Sequence, residues 1–198
     1  MQSFSNFSQN NQSNSIPIIL SYLSIMSLNF ELSVQTGKVI SRAIDEIFLK
    51  DNIEFNILMS KTQNHHLQLI LAEILKNTRE NFKVKIFNTS PNSEKLSTLF
   101  ILNNHTELTI AEDYIKAMKT NYSTAHKYII YCADINYTNI FMHYRPSLML
   151  DRRSWIDYMD KYYIINIPQG FSLMTYFVRS KSNNEFELKL ENVNMYVP

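Results

Sequence analysis

Glycine is almost missing from this chain. Gly37 and Gly170 are the only two in 198 residues, and they lie far apart. Loops that let backbone approach a phosphate closely are glycine-rich. Walker-type and dinucleotide fingerprints are therefore excluded. Cysteine is scarcer still, with Cys132 alone. One thiol can form no internal disulfide and no cysteine-based zinc site. Charge of one sign is also lacking: 19 Lys and Arg stand against 18 Asp and Glu, for a net charge of +1. Such balance exerts no general pull on nucleic acid or on an anionic membrane.

A core is there in plenty. Hydrophobic residues make up 45% of the chain and charged residues 19%, with Tyr and Phe at 12 each. That composition folds, and the length is one ordinary domain. Residues 1–15 are the exception. They are Ser, Asn, Gln and Phe without a charge, and read as a disordered polar tail. The apolar segment 16–30 follows. It is short for a membrane span, which needs about 20 apolar residues. It has the length of a signal-peptide core, yet no Lys or Arg precedes Lys38 and no small-x-small cleavage site follows. Two readings stand: a degraded signal peptide, or a core element of the domain. No other segment reads as a span. Residues 31–198 read as a single α/β domain.

Hydrophobic periodicity gives the order of elements. Ile40, Ala43, Ile44, Ile47 and Phe48 mark an amphipathic helix from Val39, ended by Asp51-Asn52. Ile53 to Met59 is a strand. Leu67, Ile70, Leu71, Ile74 and Leu75 form one face of a second helix, with Gln68, Glu73 and Lys76 outside it. Phe82 to Phe87 alternates with Lys83 and Lys85, as on an edge or half-exposed strand. Residues 88–93 form a loop around Pro91. Leu99 to Leu102 and Tyr128 to Ala133 are continuous apolar runs, expected of strands covered on both faces. Between them Thr109 and Glu112 have capping-box spacing, opening a helix with Ala111, Tyr114, Ile115 and Met118 inward. Pro146-Ser147 is a break, and Trp155, Ile156 and Met159 suggest a shorter helix. Tyr163 to Ile167, Leu173 to Val178 and Phe186 to Leu190 close the chain as three strands. The fold expected is α/β: a mainly parallel open sheet with helices on both faces and antiparallel strands at the C-terminal end.

In such sheets ligands bind at the carboxyl ends of the strands. That rule singles out Ser60, Asn103-Asn104 and Asp134. Asp134, just past a buried strand, is the candidate ligand-binding or catalytic carboxylate; a turn or cap role is the plainer reading. His65 and His66 are adjacent on a helix and cannot chelate together as an i, i+4 pair could. They read as exposed polar positions near a helix start. His105, His126 and His143 are scattered, so no metal and no cofactor is expected. Cys132 reads as a buried strand thiol. No serine sits in a glycine-flanked elbow, and Asp151, Asp157 and Asp160 read as a solvated helix face. Tyr158, Tyr162 and Tyr163 beside Trp155 read as core or rim. Asn6, Asn11, Asn88, Asn104, Asn121 and Asn136 each open an N-x-[ST] triplet. The last four fall in loops or at element ends, where a glycan could be carried.

From Ile53 to Val193 the order of elements resembles the extracellular amino-terminal region of divergent insect ionotropic receptors, chemosensory relatives of the ionotropic glutamate receptors. The segments that carry it are HHLQLILAEIL, LSTLFILNN, KYIIYCAD and RSWIDYMDKYYIINI. The resemblance rests on hydrophobic pattern and order over about two-thirds of the chain. It implies a non-enzymatic, extracellular or membrane-associated glycoprotein domain, acting in ligand or co-receptor recognition beside a receptor co-subunit. Such receptors continue into a ligand-binding domain, three membrane segments and a pore, whereas this sequence stops at Pro198. Their agonist-binding Arg, Thr and acidic residues lie in that further part, so none is carried over. The resemblance implies a truncated receptor, a partial gene product or a secreted ectodomain-like form that conducts no ions. The alternatives left by the residues themselves are an intracellular α/β enzyme with a divergent site near Asp134, or an interaction module.

Overall fold

The computed structural model describes residues 15–49, 54–62, 64–78, 82–87, 96–119, 126–136, 147–150, 160–180 and 186–197. Residues 1–14 of the expected tail, the 88–93 loop and the helix expected around Trp155 lie outside them. The elements are α1 (Ser15–Ile47), β1 (Phe55–Met59), α2 (His65–Asn77), β2 (Phe82–Ile86), β3 (Ser97–Leu102), α3 (His105–Lys119), β4 (Tyr128–Asn136), β5 (Ser147–Leu150), β6 (Lys161–Ile167), β7 (Gly170–Ser180) and β8 (Phe186–Tyr196). One sheet of eight strands runs β2-β1-β3-β4-β6-β7-β8-β5. β2, β1, β3, β4 and β6 are mutually parallel. β6-β7, β7-β8 and β8-β5 are antiparallel. The expected α/β fold, mainly parallel with helices on both faces and an antiparallel C-terminal end, is the fold observed.

Period-2 alternation sorts the strand residues onto two faces. Phe55, Ile57, Leu99, Ile101, Ile129, Tyr131, Ile164 and Leu173 pack with Ile40, Ile44, Leu67, Ile70 and Ile74 of α1 and α2. Phe100, Leu102, Ile130, Cys132, Tyr163, Ile165 and Met174 pack with Leu108, Ala111 and Ile115 of α3. From β1 the chain crosses through α2 to one side of the sheet, and from β3 through α3 to the other. Crossovers of one hand running in opposite directions must lie on opposite faces.

Four expectations are corrected. α1 begins at Ser15 rather than Val39 and has 33 residues, about 50 Å of helix. Among its described side chains, cover begins at Ser33; Ile25, Met26, Leu28, Phe30 and Leu32 are exposed. Periodicity registers burial, and a helical stretch with no cover shows none. On α2 the buried face includes Glu73, while Leu75 is 45% exposed. The rotation follows from α1, whose Gly37 backbone lies against Glu73 and leaves no space for a Cβ. α3 opens one turn before the Thr109 pattern, because Asn104 and Glu107 have the same spacing. Asn104 Oδ1 accepts the Glu107 N–H at 3.0 Å, and Glu107 Oε2 accepts the Asn103 N–H at 2.8 Å. Thr109 instead donates its hydroxyl to the His105 carbonyl within the helix. Finally, Ser147 opens the edge strand β5 rather than marking only a break.

Polar ties fix the layers. Lys127 Nζ donates to the carbonyl of Ile47 at the end of α1, where a cation complements the helix dipole. Tyr196 and Asn194 of β8 both donate to Glu46 of α1. Tyr163 of β6 donates to Glu112 of α3 at 2.8 Å. The β6-β7 hairpin turns through Pro168-Gln169, and Gly170 takes φ 141°, a conformation that favours glycine.

Candidate functional site

β1 and β3 are neighbours, but the chain leaves their carboxyl ends in opposite directions. That divergence makes the crevice where open α/β sheets bind ligands. Ser60 ends β1, and its N–H is held by the Ile101 carbonyl at 2.8 Å. Its hydroxyl donates to Glu107 Oε1 at 2.7 Å and accepts the Thr62 N–H at 3.1 Å. The Thr62 hydroxyl also points to Glu107 Oε1, at 3.4 Å. Asn64 is the N-cap of α2: its Oδ1 accepts the His66 N–H, and its Nδ2 donates to Asn103 Oδ1 at 2.7 Å. Two helix N-termini thus meet over the strand ends, and the Glu107 carboxylate is held by three neutral donors from β1, its following turn and the end of β3.

Of the residues singled out in the sequence, Ser60, Asn103 and Asn104 come together here. Asn64, Thr62 and Glu107 were not singled out. The Asn64 and Glu107 signals were present as capping residues before an apolar-periodic run; their convergence needed the fold. Asp134 sits within β4, near its C-terminal end, rather than beyond it, and is exposed. Cys132 is buried, as expected. Burial first, and then the carboxylates of Asp134 and Glu107, push its thiol up to about 12, although the Asp134 backbone N–H works against them. The thiolate, which is the nucleophilic form, is therefore suppressed at neutral pH.

A second polar cluster adjoins the crevice on the face that α1 and α2 cover, between α1, α2 and β4. His65 is exposed as expected, but His66 is half-buried. Its Nδ1 is 2.7 Å from Ser33 Oγ and its Nε2 is 3.3 Å from the Tyr131 hydroxyl. The Ser33 hydroxyl donates to the Asn29 carbonyl at 2.7 Å. Its one proton is thus committed, so the imidazole donates from Nδ1 and accepts at Nε2. Burial lowers the His66 pKa from its ordinary 6.5 and drives that of Tyr131 upward. Among the described residues no group of three or more His, Cys, Asp or Glu is placed to hold a metal.

Of the glycosylation candidates, Asn104 is the half-buried N-cap of α3 and Asn136 ends β4. Asn88 and Asn121 lie outside the described residues. Among the described residues no helix is long and apolar enough to cross a membrane. Comparison with family models, with curated proteins and with solved structures finds no match to this chain.

Proposed function

We propose that this chain is a non-enzymatic recognition domain, similar to the amino-terminal extracellular region of a chemosensory ionotropic receptor, that acts in ligand or co-receptor recognition. The observation that carries the reading is the crevice at the ends of β1 and β3. Its side chains are amides, hydroxyls and one carboxylate, already hydrogen-bonded to one another. Such a set can exchange hydrogen bonds with a polar partner. It offers no thiolate for covalent chemistry, since the Cys132 thiol is held protonated. The segments that carry the receptor resemblance supply α2, β3, β4 and β6, four elements around or beside this crevice.

The test is expression of the full chain in insect cells. Secretion, with a mass shift on enzymatic removal of N-glycans and loss of part of that shift in Asn104→Gln or Asn136→Gln, supports the reading. Retention of an unglycosylated chain in the cytosol refutes it. The enzyme alternative places the chemistry at Asp134. It would gain if Asp134→Asn abolished a turnover that Ser60→Ala left intact.

A further inference from the structure

The side of α1 that faces the core runs on past the core. Five full turns of α-helix take about 18 residues, so Ile25 and Met26 stand in line with Ala43 and Ile44. Phe30 and Leu32 stand two turns before Gly37 and Val39. Val39, Ala43 and Ile44 belong to the buried core, and Gly37 lies against α2. Ile25, Met26, Phe30 and Leu32, on the same side, are 41–57% exposed.

α2 sets the point where cover ends. Ser33 meets His66, and Gly37 meets Ile70 and Glu73, so the two helices run in the same direction. α2 starts at His65, soon after β1 ends. The part of α1 before Ser33 therefore projects beyond the start of α2 and the carboxyl ends of the parallel strands. Residues 24–32 alone add about 13 Å. Their apolar side overlooks a notch, with the projecting helix as its wall and the strand ends as its floor. We propose that a second copy of this chain fills the notch: the projecting parts of two α1 helices lie antiparallel, each across the strand ends of the other copy.

The exposed area is what a pair needs. At about 200 Å² for a fully exposed large side chain, Ile25, Met26, Leu28, Phe30 and Leu32 present about 500 Å² per copy. A pair covers about 1,000 Å², where specific interfaces begin. The shape is self-complementary, because a projecting helix is what fits such a notch, and a two-fold axis makes both contacts alike. Charge raises no barrier between copies. The net charge is +1, and Glu31 is the one charged residue between Ser15 and Lys38. It is exposed on the far side of the helix, in line with Ser24. A lipid surface fits less well. A flat bilayer cannot enter a notch floored by the domain, and no Lys or Arg precedes Lys38 to draw anionic headgroups. The pairing does not depend on the recognition role.

Sedimentation equilibrium of the full-length protein at micromolar concentrations tests it. Wild type should show twice the chain mass of 23.4 kDa. Met26→Glu and Phe30→Glu, at positions exposed in the single copy, should each weaken the pairing by about a hundredfold or more, since the two-fold axis sets both new charges in the apolar seam. Ser24→Glu, on the far side, should leave the doubled mass unchanged. A monomeric wild type, an assembly of another size, or a dimer indifferent to Phe30→Glu overturns the proposal. So does binding to phosphatidylcholine vesicles that Phe30→Glu abolishes, or a mature protein whose intact mass shows residues 16–30 removed.

Discussion

The crossing of α1 and α2 gives the sharpest test of the packing. A methyl added to Gly37 would lie 2.6 Å from Glu73 Cβ, 3.0 Å from the Ile70 carbonyl oxygen and 3.1 Å from Glu73 Cγ. Comfortable carbon–carbon contact is about 3.5–4.0 Å. Two of the obstacles are a Cβ and a backbone oxygen, which no rotamer change removes, so the helices must part by about 1 Å. Overpacking of a close-fitting core costs about 1–3 kcal/mol, and this immovable contact belongs at the upper end. Alanine returns about 1 kcal/mol through helix propensity. Gly37→Ala should therefore destabilise by about 2 kcal/mol, a fall in Tm of about 4–8 °C for a chain of this size. Urea unfolding should show a lower midpoint at unchanged slope. Glu73→Gly removes both side-chain obstacles, so the double variant should recover about 1 kcal/mol relative to additivity. A Gly37→Ala protein as stable as wild type, or more so, would refute the close approach and the register of α1 on α2.

Other outcomes follow from the same geometry. Glu107→Ala should cost about 1–3 kcal/mol in urea unfolding, because Ser60 Oγ and the Asn103 N–H lose their acceptor. Asn56→Val should go the other way, stabilising by about 1 kcal/mol, since Asn56 is buried in β1 and its Oδ1 has no partner among the described residues. Cys132, with its thiol near 12, should react with a thiol reagent at pH 8 only as fast as the domain opens; a fast phase in the folded protein would contradict its burial. For His66 the folded pKa lies below 6.5, so the unfolded chain binds its proton more readily. Its contribution to stability is complete above 6.5 and is lost as pH falls from there through the folded value. Urea midpoints compared between wild type and His66→Gln should converge toward acid pH, and a gap independent of pH would contradict that sign.

The sequence by itself determined the class of fold and most of its strands. The runs at Leu99–Leu102 and Tyr128–Ala133 are continuous because both faces of β3 and β4 are covered, and burial on both sides admits only apolar residues. The alternation of Phe82–Ile86 likewise announced an edge, and β2 is one. Two separated glycines and a single cysteine excluded glycine-rich phosphate loops and an internal disulfide before any contact was known. Only the tertiary structure decided the faces and the meeting points. Glu73 is buried because another helix crosses there on a glycine, and nothing within α2 encodes that crossing. Ser60, Asn64, Asn103 and Glu107 stand up to 47 residues apart along the chain, yet hydrogen-bond because β1 and β3 are neighbours. His66 read as an exposed polar residue because its partners, Ser33 and Tyr131, lie 33 and 65 positions away. Local pattern reports whether a residue is covered. Which residue covers it is fixed by strand order and helix crossing, and those long-range contacts hold both the crevice and the His66 cluster.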